Sequence, residues 1–171
     1  PGMMRIFDRL GDTPAEIVTE LGETLRQTPL GVALVGDLSR YLGPERSIGY
    51  RWFTVAGGRD LYPVEDHDFL SRMYVSGLRR VLTLRGPDSR AAELAGLLQR
   101  GSDEFCALWD RHEVGIMLRT GKRFVHPEVG DLELECQILH DPESSYALPA
   151  FTAQLCRPCA EKPRLLAVLR D

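Results

Sequence analysis

Cys156 and Cys159 frame the tetrapeptide CRPC near the end of a 171-residue chain. Thiols at that spacing suit two chemistries. A redox pair needs its first thiol at a helix N-terminus, where the dipole lowers the thiol pKa. A structural zinc site needs two further ligands. Little chain follows the motif, and Pro163 interrupts it, so no thioredoxin-like unit can be built there. No second CxxC and no HxxxH is present, so Cys106, Cys136 or a histidine completes a metal site only if the fold brings it close. The plainer expectation is a reduced, exposed turn.

His126 opens HPEVG. Pro127 forces it into extended geometry, and Gly130 supplies positive φ for a turn through Glu128 and Val129. Those residue types account for a strand-to-strand turn, whereas a catalytic histidine needs a nucleophile or acid/base partner that no motif supplies. His112 falls three residues after Trp109, which predicts a place on a buried helical face, satisfied by one hydrogen bond. His67, within EDHD, sits at a helix start, where Glu65, Asp66 and Asp68 suit the dipole; a cation held by those carboxylates is the sharper alternative. No phosphate loop or dinucleotide fingerprint appears. The expectation is a protein that is not an enzyme.

The elements that must position these residues follow from periodicity. Met3, Ile6, Phe7 and Leu10 predict a short amphipathic helix. Pro14 and Pro29 bracket two extended stretches around Gly22, which predicts a hairpin. LGVALVGDLSRYL predicts a short helix, and Gly57 and Gly58 break the chain after YRWFTVA. The strongest helix runs from about Glu65 to Leu84 on a stripe of Leu70, Met73, Tyr74, Gly77, Leu78, Val81 and Leu82, and stops at Gly86-Pro87. Asp88 or Ser89 caps the next helix, whose inner face is Leu94, Leu97 and Leu98. Ser102 opens a third, with Phe105, Leu108, Trp109 and His112 on one face.

The last third predicts strands. VGIMLRT and KRFVH flank Gly121 as a hairpin. DLELECQIL alternates, Leu132, Leu134, Cys136 and Ile138 inward against Glu133, Glu135 and Gln137 outward. SYALPAFTAQL is a further strand, where Pro149 predicts an edge or a bulge, and RLLAVLR a closing helix. The order predicts an α+β fold of one domain over residues 3–171, its first hairpin joining the meander in one sheet covered on one face by helices.

Composition bounds the function. Lys plus Arg number 21 against 25 Asp plus Glu, a net charge of −4, and the arginines are scattered, with Arg79–Arg80 and Lys122–Arg123 as pairs. A nucleic-acid surface needs clustered positive charge, so these are expected to be solvated and the chain by itself is not expected to bind DNA. No apolar run is long enough to span a membrane, and no secretory signal is evident, which points to a cytoplasmic protein with reduced cysteines. Pro1 and Gly2 ahead of two methionines suggest a cloning remnant. Tyr50, Trp52, Phe53, Phe69, Met73, Tyr74, Phe105 and Trp109 form an aromatic and apolar set that is either plain core or the lining of an apolar pocket.

SDEFCALWDRHEV, followed by GKRFVHPEVGDLELECQIL, resembles the ligand-binding domain of MmyB-like bacterial transcription regulators, of the XRE-type helix-turn-helix class. The matching positions are Ser102, Glu104, Phe105, Leu108, Trp109, His112 and Val114, then Lys122, Arg123, His126, Pro127, Val129, Gly130, Leu132 and Leu134. GRDLYPVEDHDFLSRMYVSGLRRV resembles the preceding helix through Arg59, Leu61, Tyr62, Pro63, Ser71, Arg72, Tyr74, Val75, Leu78 and Arg79. The chain departs from the pattern at LCRPC, where the family usually has a Pro-Gly turn, and at SIGYRWF, where it usually carries an asparagine.

The resemblance implies a PAS-like fold and a hydrophobic small-molecule ligand, a fatty acid first among them, held between sheet and helices. It also implies DNA contact only through an N-terminal helix-turn-helix domain that this chain lacks. The expected ligand-binding residues are Trp52, Phe53, Tyr74, Leu78, Phe105 and Trp109, with Arg51 or His112 meeting a polar head group. No cofactor is expected beyond such a bound molecule. The competing expectations are a ligand-free homodimerisation module with a filled core, and a metal- or thiol-dependent protein built on Cys156 and Cys159.

Overall fold

A computed structural model of the chain describes residues 2–117, 119–141 and 145–153. The fold is α+β, with a five-stranded antiparallel sheet and six α-helices among the described residues. It divides into two compact units, one of Pro1–Thr19, Thr24–Arg40 and Arg119–Asp171, the other of Glu20–Glu23 and Tyr41–Leu118.

The first unit holds the sheet. Its elements are α1 (Gly2–Phe7), β1 (Glu16–Thr19), β2 (Thr24–Gln27), α2 (Pro29–Val35), β3 (Gly121–His126), β4 (Gly130–His140) and β5 (Tyr146–Ala153), with strand order β2-β1-β5-β4-β3. The hairpin expected around Gly22 is present and joins the meander in one sheet. Phe7 of α1 is buried against Ala15, Ile17 and Leu148, with Met3, Met4 and Leu10 packed around them. Ile6, expected on that face, is 48% exposed; it lies about 100° around the helix from Phe7, the residue that is buried.

Thr28 caps α2. Its hydroxyl donates to the Thr13 carbonyl at 2.8 Å and accepts the Ala15 and Gly31 N–H groups, each at 3.0 Å, the second a helix donor that would otherwise be orphaned. A Cβ at Gly31 would lie 2.6 Å from the Ala15 carbonyl oxygen, so the helix approaches the chain more closely than a side chain permits.

Two strand expectations are corrected. Among the described residues VGIMLRT supplies no strand beside KRFVH; β3 pairs with β4, from Gly121↔Glu135 to His126↔Gly130. Residues 113–117 have no strand geometry, since Gly115 turns at φ 74° and the Ile116 N–H is taken by the Ser76 hydroxyl at 3.3 Å. Pro149 lies on neither an edge nor a bulge but in β5, the middle strand, opposite Ile138. Phe151 N–H reaches the Pro14 carbonyl at 2.8 Å, so the N–H that Pro149 lacks would face the β1 side, since alternate residues share an edge. There the β1–β5 ladder covers only Val18↔Ala147 and Thr19↔Tyr146 before the isolated bridge Ala15↔Ala150. The ladder is open where the proline cannot donate.

In β4 the alternation holds: Leu134 and Cys136 are buried while Glu133 and Gln137 are exposed. Phe124 of β3 meets Phe151 of β5 edge-on at 5.7 Å. The end of the last expected strand, CRPC and the closing helix RLLAVLR lie outside the described residues.

The second unit is helical: α3 (Ile48–Thr54), α4 (His67–Arg85), α5 (Arg90–Gly101) and α6 (Asp103–Asp110). Ser47, Ser89 and Ser102 cap α3, α5 and α6, each accepting an N–H three residues on, and α4 stops at Gly86, whose φ of 83° leaves helical space. Leu70, Met73 and Val81 of the expected α4 stripe are buried, and so are Ser71, Val75 and Ser76. The buried band is wider than one stripe because α3, α5 and α6 all pack on this helix. On α5, Leu94 and Leu98 are buried with Ala91 and Ala95. The turn around Gly22 belongs to this unit: Ser47 donates its hydroxyl to the Leu21 carbonyl at 2.7 Å, and Ile48 N–H reaches the Gly22 carbonyl at 3.0 Å. No described helix is long and apolar enough to cross a membrane.

Candidate ligand-binding site

All eight expected site residues fall in the helical unit, and three helices bring most of them together. Trp52 on α3 lies 5.4 Å from Tyr74 on α4, ring to ring. Phe53 meets Phe105 on α6 edge-on at 5.4 Å, and Phe105 stacks on Trp109 at 5.3 Å and 27°. Phe53, Leu78 and Trp109 pack on the buried cluster of Val75, Leu98, Phe105 and Leu108. Trp52 and Phe105 are fully buried, while Phe53, Tyr74, Leu78 and Trp109 are half-buried. The first two are therefore core, and the others keep part of their surface exposed.

The two expected polar anchors are differently placed. Arg51 is buried, and its Nη1 donates to the Glu45 and Arg46 carbonyls at 2.6 and 3.0 Å while its guanidinium lies over the Tyr41 ring. It ties α3 to the tight turn at Gly43–Arg46. His112 is exposed, not on a buried face. α6 ends at Asp110, and His112 adopts a left-handed φ of 54°, its Nδ1–H donating to the Asp110 carbonyl at 2.7 Å. Helical spacing from Trp109 ceases to apply once the chain leaves the helix.

A polar circuit runs through this aromatic group. The Trp52 Nε1–H donates to Ser71 Oγ at 2.7 Å, and Ser71 donates to Glu104 Oε1 at 2.9 Å. Arg59 grips both oxygens of Glu104, at 3.2 and 2.6 Å, and returns its Nε–H to the Trp52 carbonyl at 2.8 Å. Its guanidinium also lies 4.9 Å from the centre of the Trp52 ring. Burial alone raises the Glu104 carboxyl; the hydrogen bonds from Arg59 and Ser71, with the charges of Arg59 and His67, outweigh it and hold the group below its usual value.

Beside the circuit, a cleft of about 450 Å³ is lined by the run from Trp52 to Asp60 and by His67. His67 donates Nε2–H to the Tyr62 carbonyl at 3.0 Å and sets its ring 5.2 Å from Trp52. Among the described residues no cluster of His, Cys, Asp and Glu is arranged to hold a metal ion.

Periodicity did not single out Ser71 or Glu104 as partners. The available signal was chemical: a buried tryptophan needs an acceptor for its N–H, and Ser71 is the small polar residue beside Leu70 in the α4 stripe. Arg79 was expected to be solvated with Arg80; it is half-buried while Arg80 is exposed.

In the sheet unit, His126 is 6% exposed and forms the turn expected of it. Its Nδ1 accepts the Glu128 N–H at 3.2 Å, and Nε2–H donates to the Ala33 carbonyl at 2.9 Å. Gly130 closes the turn at φ 77°.

No curated protein matches the chain. Over residues 1–166, across both units, the sequence matches the family described as the MmyB-like transcription regulator ligand binding domain. The chain belongs to that family, the ligand-binding domains of MmyB-like transcription regulators.

Proposed function

We propose that this chain is the effector-sensing module of a bacterial transcription regulator and that its effector is an apolar, fatty-acid-like small molecule. The observation that carries the reading is the half-buried surface of Phe53, Tyr74, Leu78 and Trp109, laid over the fully buried Trp52 and Phe105. Binding sites for such molecules are mostly apolar with a few fixed polar groups. The Trp52–Ser71–Glu104–Arg59 circuit supplies rigid polar support for that surface. The effector acts by favouring one of two arrangements of the module, so only its differential affinity for them can alter regulation.

Native mass spectrometry of the purified chain, followed by denaturation and identification of anything released, tests this. The expected result is a co-purifying apolar molecule, or uptake of added dodecanoic acid, with affinity falling about tenfold in Trp109→Ala as buried apolar contact is lost. A ligand-free mass unchanged by fatty acids, together with a stable dimer, would instead identify a filled-core dimerisation module.

A further inference from the structure

Arg79 on α4 has no carboxylate within ion-pair distance among the described residues. Its neighbours in the helical unit contrast with it: Arg59 pairs with Glu104, Arg72 with Glu113 and Asp68, Arg85 with Glu20, and Arg90 with Glu23 and Glu93. The Arg79 guanidinium lies 4.1 Å above the centre of the Trp109 indole, and an Nη2–H donates to the Trp109 carbonyl near the end of α6. Its Nε–H is buried with no acceptor. A cation held partly out of water, with a donor unused, lacks the counter-charge that normally accompanies burial.

The surroundings specify the kind of anion. Leu78 precedes Arg79 in α4, and Leu78, Trp109, Tyr50 and Phe53 all pack on one apolar cluster. A fixed positive charge at the border of an aromatic and aliphatic surface matches an amphiphile with an anionic head. A planar carboxylate fits the guanidinium fork.

We propose that Arg79 receives the carboxylate of an amphiphilic effector whose chain lies against Leu78 and Trp109. This rests on the reading of the chain as a sensor of a fatty-acid-like molecule, and replaces Arg51 and His112 as its polar anchor. Because the Nε–H is covered, the carboxylate reaches it by a turn of the guanidinium on the indole face, and competes with the Trp109 carbonyl for the Nη2–H.

The test compares dodecanoic acid with 1-dodecanol by titration calorimetry on the native chain, Arg79→Met and Arg79→Lys. The native chain is expected to bind the acid about tenfold more tightly than the alcohol, a preference that shrinks with added salt. Arg79→Met is expected to lose that preference while keeping its affinity for the alcohol, and Arg79→Lys to retain part of it. A clamp that serves only to hold α6 would weaken both probes alike. Equal affinities in the native chain, an acid preference indifferent to salt, or one that survives in Arg79→Met, overturns the assignment alone. Binding of neither probe to the native chain overturns the sensor reading and this assignment with it. If Arg79→Met does not fold, Arg79→Gln takes its place, and an acid preference that survives in it overturns the assignment.

Discussion

The Trp52 indole N–H donates to the Ser71 hydroxyl at 2.7 Å, and both side chains are almost wholly buried. Replacing Ser71 with alanine leaves the indole N–H without its acceptor and removes one donor to Glu104. An unsatisfied buried donor costs about 1–3 kcal/mol. Urea unfolding of Ser71→Ala should show a loss of that size with an unchanged slope. A loss under about 0.5 kcal/mol, the level of an ordinary surface substitution, would mean the bond contributes nothing.

Glu104 gives the helical unit a pH dependence. Its folded pKa lies below the ordinary value of 4.5, so the unfolded chain takes up its proton first as pH falls. The stability it contributes is therefore fully present above 4.5 and is lost as pH drops through the lower folded value. The difference in urea midpoint between the native chain and Glu104→Gln should be flat near neutral pH and narrow below about pH 4.5. A difference that grows on acidification has the wrong sign for this account.

His126 fastens the β3–β4 turn to α2. With Nδ1 accepting from Glu128 and Nε2 donating to Ala33, the neutral ring carries its proton on Nε2. Nitrogen chemical shifts should report that tautomer. His126→Ala should destabilise the chain by about 1–3 kcal/mol, measured by urea unfolding. The opposite tautomer would refute the bonding pattern even if the stability loss were found.

Cys136 is a protected thiol. Burial raises its pKa, and the nearby Glu16 charge adds to that, while Lys122 acts against both. The thiolate is the reactive form, so alkylation at neutral pH should be slow until the sheet opens. In a chain with Cys106, Cys156 and Cys159 replaced by serine, labelling by iodoacetamide should rise sharply across the urea unfolding transition. Labelling as fast in buffer as in urea would show that the strand face is open.

Much of the fold was legible beforehand, for identifiable reasons. The hairpin around Gly22, the end of α4 at Gly86, the Ser102 cap and the HPEVG turn each depend on residues a few positions apart. Leu134 and Cys136 face inward because the side-chain period of a strand is two. The apolar residues of VGIMLRT suit a strand, yet the Ser76 hydroxyl on α4 takes the Ile116 N–H. A proline's missing donor marks an edge only if the neighbouring ladder is continuous, and beside Pro149 it is interrupted.

The candidate site divides along the same line. The aromatic residues and their helical faces follow from spacing within single helices, and the family is carried by local motifs around Trp109 and HPEVG. The sequence by itself therefore determined most of the elements, the Ser102 cap and the family. Tertiary structure decided which polar groups meet. Ser71 and Glu104 are 33 residues apart, and Arg79 and the Trp109 carbonyl 30. It also decided that Arg51 is occupied by a turn and that His112 stands in solvent. Periodicity encodes which side of an element faces inward; hydrogen-bond partners between helices depend on how those helices cross, which no local spacing encodes.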